Sequence, residues 1–184
     1  SYIISNSGTT TTRIADAAYG AGNASTFNDS EGVLYFEGSA LADDGTARVI
    51  SINDGSSSNY ISLRYHTVSN SVRFRIASGG TVNFDYFITL QSTLDKNKIA
   101  IKYDNTNVYL WANGIEQFKY SPITSPIGLS TLNFDDGSGS QDFYGKCQNL
   151  MVFPSALTDD ELADLTGAVH QTFNSLATFY NYTI

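Results

Sequence analysis

Residues 98–114 read KIAIKYDNTNVYLWANG and carry the clearest strand pattern in the chain. Apolar residues alternate with polar or small ones in 98–103, aliphatic residues alternate with aromatic ones in 108–112, and the polar tetrapeptide DNTN joins the two runs. The second run ends in an Asn-Gly pair, which is the strongest short signal for a β-hairpin. The stretch therefore predicts two paired antiparallel strands, with a third strand at 115–120.

The same alternation, interrupted by Gly, Asn and Asp turns, recurs on both sides of this hairpin. Many short strands at regular spacing are typical of sandwiches and jelly rolls, so we predict an all-β, antiparallel β-sandwich. We expect its strands at 31–37, 48–52, 60–65, 71–76, 82–90, 98–103, 108–112, 115–120, 129–134 and 143–153.

Helix is expected only near the carboxyl end of the chain. Thr158, followed by acidic residues and by Glu161 three positions on, predicts a capping box, and Gly167 fits the helix end. Beyond it, apolar residues at helical spacing predict a second short helix or a docking tail over 168–184. These residues are Val169, Phe173, Leu176 and Phe179. We expect one domain, 1–184, whose tail packs on the sandwich or on a neighbouring protomer.

The composition excludes several classes of function. The chain has 184 residues and a formal net charge of -8. A general nucleic-acid binder needs a basic surface for phosphate contacts, so this class is excluded. No apolar run approaches the roughly 20 residues of a membrane-spanning helix. Cys147 is the single cysteine, so no disulfide forms within the chain.

The hairpin register indicates which side chains lie outside the core. Pairing across the four-residue loop places Lys102 opposite Tyr109 and puts Trp111 on the same side of the sheet. Ile101 and Leu110 then face the core. Sugar rings pack on aromatic planes while polar neighbours bind their hydroxyl groups, so Trp111, Tyr109 and Lys102 are predicted to bind a glycan. The alternative is that Trp111 packs beneath a loop or the carboxyl tail.

A second candidate surface is basic. Residues 64–102 hold six basic and two acidic residues, whereas the remainder of the chain is strongly acidic. Alternation points Arg64, Arg73 and Arg75 away from the core, and a sheet shared with Lys102 would give a basic stripe with aromatic residues. Such a stripe fits an anionic glycan or an acidic partner. The alternative is an ordinary solvated sheet face.

Two stretches resemble the laminin-G-like branch of concanavalin A-type jelly rolls. Residues 98–118, KIAIKYDNTNVYLWANGIEQF, are similar to a strand pair of that family, and residues 143–167, FYGKCQNLMVFPSALTDDELADLTG, are similar to its closing strand and short helix. Residues 9–55 and the carboxyl end, FNSLATFYNYTI, resemble the C-terminal module of structural proteins of tailed bacteriophages, such as tail or fibre proteins.

The resemblance implies a concanavalin A-like jelly roll that binds a poly- or oligosaccharide without catalysis, in a virion or another extracellular setting. On a phage tail or fibre, the ligand would be a bacterial surface glycan and the function host recognition. A fold does not name its function, so a competing hypothesis stands beside this one. The competing hypothesis is a structural or assembly module of a virion protein, forming a homotrimer and binding no sugar.

The glutamates argue against catalysis. The chain has four, Glu31, Glu37, Glu116 and Glu161, and none begins the Glu-x-Asp-x-x-Glu strand of glucanase-type jelly rolls. Glycoside hydrolysis needs a pair of carboxyl groups that flank the scissile bond. We therefore expect no catalytic residues, no enzyme activity and no required cofactor.

Asp-rich turns form a third candidate site. Asp135, Asp136 and Asp142 lie close together in sequence, and calcium (Ca²⁺) binds carboxylate and carbonyl oxygens of flexible loops. Laminin-G-like domains often bind calcium at a rim of the sandwich, so the resemblance implies the same ion here. The alternative is that these residues only shape turns.

Overall fold

The computed structural model describes residues 22–167, which form ten β-strands and one α-helix. No helix within these residues is both long and apolar enough to cross a membrane. In chain order the elements are β1 (Glu31–Ala40), β2 (Arg48–Asn53), β3 (Tyr60–Tyr65), β4 (Ser71–Ser78), β5 (Thr81–Thr89), β6 (Asn97–Asp104), β7 (Asn107–Ala112), β8 (Ile115–Tyr120), β9 (Thr131–Asn133), β10 (Gly145–Phe153) and α1 (Asp159–Thr166).

The strands form two five-stranded antiparallel sheets that pack face to face. Sheet A has the order β10-β1-β6-β7-β8, and sheet B has the order β5-β4-β3-β2-β9. Neighbours that are distant in sequence, such as β1 and β10, show that the chain crosses between the sheets, as it does in jelly rolls. The predicted antiparallel β-sandwich is confirmed.

Alternating side chains fill the space between the sheets. Ile101 and Leu110 of sheet A and Leu63 and Phe74 of sheet B are fully buried in one apolar core. Burial of each such side chain stabilises the fold by roughly 1.5–3 kcal/mol. The period-two pattern therefore assigned the core-facing side of these strands correctly.

The register of the central hairpin is also as predicted. Lys102 pairs with Tyr109, and Ala100 pairs with Trp111. In the turn that follows β7, Asn113 and Gly114 have φ angles of 51° and 87°. This left-handed conformation is the one that a two-residue hairpin turn of type I′ requires, and Asn and Gly adopt it most readily.

The last two strands are shorter than predicted. β9 contains only three residues, and the chain between 134 and 144 leaves the sheet. A local turn takes its place, in which the backbone N–H of Asp136 donates to the carbonyl of Ser140 at 3.0 Å. Phe143 is nevertheless buried in the core. A buried apolar residue in a loop therefore matched the pattern of a strand residue, which is why the predicted strand began too early.

The helix begins with the predicted capping box. The backbone N–H of Glu161 donates to Thr158 Oγ1 at 3.3 Å, and the backbone N–H of Thr158 donates to Glu161 Oε2 at 2.8 Å. Gly167 follows the last helical residue, Thr166. The predicted docking tail over 168–184, with Val169, Phe173, Leu176 and Phe179, lies outside the described residues and stays a prediction.

Candidate functional site

The helix α1 covers part of the outer face of sheet A, where it contacts β6, β7 and β8. Trp111 lies beneath this helix in an apolar cluster with Tyr35, Ala100 and Leu162, and only 6% of Trp111 is exposed. The expectation that Trp111 belongs to an open platform is therefore wrong. The physical reason is that α1 has an apolar side, and packing it on the apolar outer face of sheet A removes both surfaces from water.

Lys102 helps to hold α1 in place. Its Nζ forms an ion pair with Asp159 Oδ1 at 3.1 Å and lies 4.3 Å from the centre of the Tyr109 ring. At the other end of the helix, Lys98 Nζ donates to the carbonyl of Gly167 at 2.7 Å. The expectation that Lys102 and Tyr109 form an exposed ligand surface with Trp111 is wrong, because Lys102 is buried beside the helix.

The arginines lie on the opposite outer face of the sandwich. Arg64 is on β3, and Arg73 and Arg75 are on β4, both in sheet B, whereas Lys102 is on β6 in sheet A. The expected single stripe of Lys102 with the arginines is therefore wrong. The three arginines do lie together, because Arg64 pairs directly with Arg73 and Arg75 follows on the same side of β4. We call Arg64, Arg73, Arg75 and the adjacent Asp85 the arginine face.

One carboxylate serves two of these arginines. Asp85 on β5 accepts two hydrogen bonds from Arg73, both at 2.5 Å, and one from Arg75 Nε at 3.0 Å. Burial acts to raise the pKa of Asp85, but the bonds from the two guanidinium groups outweigh this effect and lower it. Asp85 is therefore ionised at neutral pH, and its single negative charge balances only one of the two positive charges of Arg73 and Arg75.

Arg64 lies deeper and has no carboxylate partner among the residues that the structure describes. Its Nη1 donates to Gln141 Oε1 at 3.1 Å and its Nη2 to Ser62 Oγ at 3.3 Å, whereas Nε has no partner among residues 22–167. Only 6% of Arg64 is exposed, and none of the ion pairs among the described residues includes it. Burial, and then the charge of Arg75, lower its pKa. Nε itself is buried, so what Arg64 contributes to anion binding is its positive charge beside Arg73 and Arg75.

Aromatic rings lie where β5 and β8 form the open edge of the sandwich. Tyr86 of β5 and Phe118 of β8 are stacked, with ring centroids 3.7 Å apart and an interplanar angle of 5°. The ring centroids of Phe84 and Tyr120 are 5.8 Å apart, and those of Phe87 and Tyr86 are 6.4 Å apart. We call these five residues the aromatic ridge. Sequence reasoning missed it, because the sequence VNFDYFITL predicts a strand without showing that the strand lies at an edge.

The carboxylates of the predicted calcium site take part in turns. Asp136 Oδ1 accepts hydrogen bonds from the backbone N–H and the hydroxyl of Ser138, at 3.0 and 2.7 Å, and Asp135 Oδ1 accepts one from the backbone N–H of Gly137 at 2.6 Å. In the part of the chain that the structure describes, no three His, Cys, Asp or Glu side chains are grouped to hold a metal ion. Asp135, Asp136 and Asp142 thus form no carboxylate cage for Ca²⁺, and calcium binding here stays a prediction.

A model of the concanavalin A-like lectin/glucanases superfamily matches residues 39–163, which is more than half of the chain. The chain therefore belongs to this superfamily, in agreement with its jelly-roll architecture. No curated protein sequence matches it.

Solved structures share the fold at low sequence identity. The CBM40 domain of the IT-sialidase of Ruminococcus gnavus is 17% identical, with a TM-score of 0.65 over 84% of this chain and 95% of that chain. Domain 4 of an extracellular GH43 arabinanase from Geobacillus stearothermophilus is 15% identical, with a TM-score of 0.60 over 78% of this chain and 69% of that chain. At these identities the similarity shows the fold alone.

Proposed function

We propose that this protein is a non-catalytic glycan-binding module and that its arginine face binds the acid group of the glycan. The observation that carries the proposal is the cluster of Arg64, Arg73 and Arg75, in which Asp85 is the one carboxylate in hydrogen-bond contact among residues 22–167. Arg73 and Arg75 add two positive charges against the single carboxylate of Asp85. The face is thus locally basic on a protein with a formal net charge of -8.

A carboxylate is the ligand group that this arrangement fits best. A guanidinium donates two parallel hydrogen bonds to the oxygens of a carboxylate, and charge-assisted bonds of this kind are stronger than neutral ones. Arg64 has only neutral hydrogen-bond acceptors among residues 22–167, and Arg73 and Arg75 share one carboxylate, so a ligand carboxylate on the arginine face would balance positive charge that Asp85 leaves uncompensated. Uronic and sialic acids carry this group, whereas neutral sugars do not.

Similar structures support glycan binding as the general function. The R. gnavus CBM40 domain has been solved with α2,3- and α2,6-sialyllactose, and the arabinanase domain with arabinotriose. These ligands belong to those proteins. The shared sandwich supports a glycan as the ligand of this chain, and the arginine face narrows the proposal to an acidic glycan.

The positions of the glutamates support binding without catalysis. Glu31 accepts a hydrogen bond from the backbone of Ala156, Glu37 accepts one from Asn149, and Glu161 caps α1. Hydrolysis of a glycoside needs two carboxyl groups directed at one bond. Three of the four glutamates are thus committed to structural contacts, which leaves no such pair of glutamates.

The proposed setting is a virion or another extracellular location, where the domain serves host recognition on a phage tail or fibre. The support is the resemblance of residues 9–55 and of the carboxyl end to such proteins. The partner in this setting is a bacterial surface poly- or oligosaccharide. In a homotrimer, several weak sites would act together and raise the effective affinity by about 10²–10⁴. The alternative is an assembly module that binds no sugar.

A glycan array followed by titration calorimetry tests the proposal. The calorimetric probes are 3′-sialyllactose and tetragalacturonic acid, with lactose and maltotetraose as uncharged references. We expect an acidic glycan to bind with a Kd of roughly micromolar to millimolar and to bind less tightly as salt rises. Arg64→Met should weaken this binding by about tenfold or more. Lys146→Met, which removes an exposed basic residue on β10, should leave it unchanged.

Arg75→Gln is the second variant, in case Arg64→Met lowers the melting temperature enough to obscure binding. Arg75 is less buried than Arg64 and contacts Asp85 only through its guanidinium, so its loss should be tolerated better. Equal binding of acidic and neutral glycans would contradict the proposal, as would an array on which no acidic glycan binds. A stable homotrimer that binds no glycan would favour the assembly alternative.

A further inference from the structure

We infer that the glycan site continues from the arginine face over the edge strand β5 onto the aromatic ridge, so that the ligand is an extended oligosaccharide rather than a single sugar. The inference rests on the proposed function and adds a second part to the same site. The acidic sugar occupies the arginine face, and the sugars that follow it stack on Phe87 and Tyr86.

The two surfaces are joined by direct contacts. Phe87 pairs with Arg73 across β4 and β5, on the outer side of sheet B. The imidazole of His66 stacks on Phe87, with ring centroids 5.4 Å apart and an interplanar angle of 6°, and its Nε2 lies 3.1 Å from Arg73 Nη1. A sugar chain that leaves the arginines along this row therefore meets the Phe87 ring first.

The ridge continues from Phe87 to the other sheet. Tyr86 points to the core side of β5 and Phe87 to its outer side, but their ring centroids are 6.4 Å apart at the open edge. Tyr86 in turn stacks on Phe118, so the rings lead round the edge strand from sheet B to sheet A. β5 and β8 are both terminal strands of their sheets, so no further strand covers them in the described chain. Consequently Phe87 is 44% exposed, Tyr120 is 42% exposed and Tyr86 is 38% exposed. Large apolar side chains exposed side by side are typical of a binding surface.

A shallow groove at this edge has the mixed lining of a sugar site. It has a volume of about 340 Å³ and is lined by Tyr86, Phe87, Ile88, Thr89 and Gln117. Aromatic planes suit the apolar C–H faces of pyranose rings, while an amide and a hydroxyl can bind sugar hydroxyls. A partner protein would bury this apolar surface as well, but the polar groups and the continuity with the arginine face favour an oligosaccharide.

Paired probes of different length test the inference. N-acetylneuraminic acid is compared with 3′-sialyllactose, and galacturonic acid with tetragalacturonic acid, by titration calorimetry. Phe87→Ala removes an exposed ring on β5 that lies in the proposed path. Met151→Ala is the matched control, because Met151 is 41% exposed and lies on the edge strand β10 of the other sheet.

We expect the wild-type protein to bind the longer member of a pair more tightly than the monosaccharide. Phe87→Ala should weaken the binding of the longer probe by about five- to tenfold and should leave the monosaccharide unchanged, because only the added sugars reach the ring. Gln117→Ala, which removes an exposed amide from the groove, should act in the same direction. Met151→Ala should change neither affinity.

The possible failures are distinguishable. If the monosaccharide binds in an Arg64-dependent manner but Phe87→Ala and Gln117→Ala leave the longer probe unchanged, the ridge inference is overturned and the proposed function stands. If neither member of either pair binds, the proposed function fails and the inference fails with it. A ridge that instead forms a homodimer contact, lost on Phe87→Ala without any change in sugar affinity, also overturns the inference.

Discussion

Arg73 Nη1 lies 3.1 Å from His66 Nε2, while Nδ1 of the same imidazole accepts a hydrogen bond from the backbone N–H of Val68 at 3.1 Å. Both ring nitrogens of His66 thus face donors, although a neutral imidazole has only one acceptor nitrogen. A second proton on the ring would face a donor as well. Burial, and then the charge of Arg73, lower the pKa of His66, and Asp85 opposes this effect only in part.

The pH dependence of stability follows from this contact. The folded state binds a proton at His66 less readily than the unfolded chain, whose histidine has a pKa of about 6.5. The contribution of neutral His66 to the free energy of unfolding is therefore fully present above that pH. It is lost as the pH drops from about 6.5 to the lower pKa of the folded state. His66→Phe, which keeps the ring that stacks on Phe87, should show a smaller drop in melting temperature between pH 7.5 and pH 5.5 than the wild type. An equal drop in both proteins would show that another group is responsible.

Replacing Asp85 tests the charge balance of the arginine face. Asp85→Asn removes the carboxylate that Arg73 and Arg75 contact, and because these ion pairs are partly exposed we expect a loss of about 0.5–1 kcal/mol in the free energy of unfolding. Added sulfate should restore part of this loss by binding between the arginines. Chemical denaturation with and without sulfate measures both effects, and Asp95→Asn, at an exposed loop position, is the control. A variant as stable as the wild type would contradict this account of the face.

Trp111 is expected to be a stability residue. Trp111→Ala should lower the free energy of unfolding by about 3–5 kcal/mol, because it leaves a cavity beneath α1. Trp111→Phe should cost far less, since the indole Nε1 has no hydrogen-bond partner among residues 22–167 and the apolar contacts are largely kept. Urea unfolding of the two variants separates these effects. A stable Trp111→Ala protein that has lost glycan binding would instead support the hypothesis that Trp111 binds the glycan directly.

Metal removal tests the calcium prediction. A calcium ion bound only by the folded state would raise the melting temperature, and a chelator would lower it. If calcium binds at these turns as predicted, we expect excess EDTA to lower the melting temperature, and an unchanged melting temperature would contradict the prediction. A drop on chelation that is lost in Asp136→Asn would establish the metal site.

Truncation tests the carboxyl tail. A chain ending after Gly167 lacks the apolar residues Val169, Phe173, Leu176 and Phe179. If residues 168–184 pack on the sandwich or on a neighbouring protomer, their removal exposes apolar surface, and we expect lower solubility and a lower melting temperature. A truncated protein that matches the full chain in both properties would contradict the docking prediction.

The sequence by itself determined the local features of the fold. Period-two alternation identified the strands and their core-facing residues, the four-residue loop set the pairing of Lys102 with Tyr109, and Thr158 with Glu161 marked the helix start. Each of these features depends on residues that are neighbours in sequence or across one turn. Such contacts leave a direct pattern in the chain.

The tertiary structure alone decided which surfaces are open. Alternation shows that Trp111 and Arg64 point away from the core, but it cannot show that α1 folds back over Trp111 while Arg64 remains beside two other arginines on the opposite sheet. The aromatic ridge likewise arises because β5 and β8 end their sheets on the same side, which brings Tyr86 against Phe118. These outcomes depend on packing between distant segments, and the energy of such packing has no local signature in the sequence.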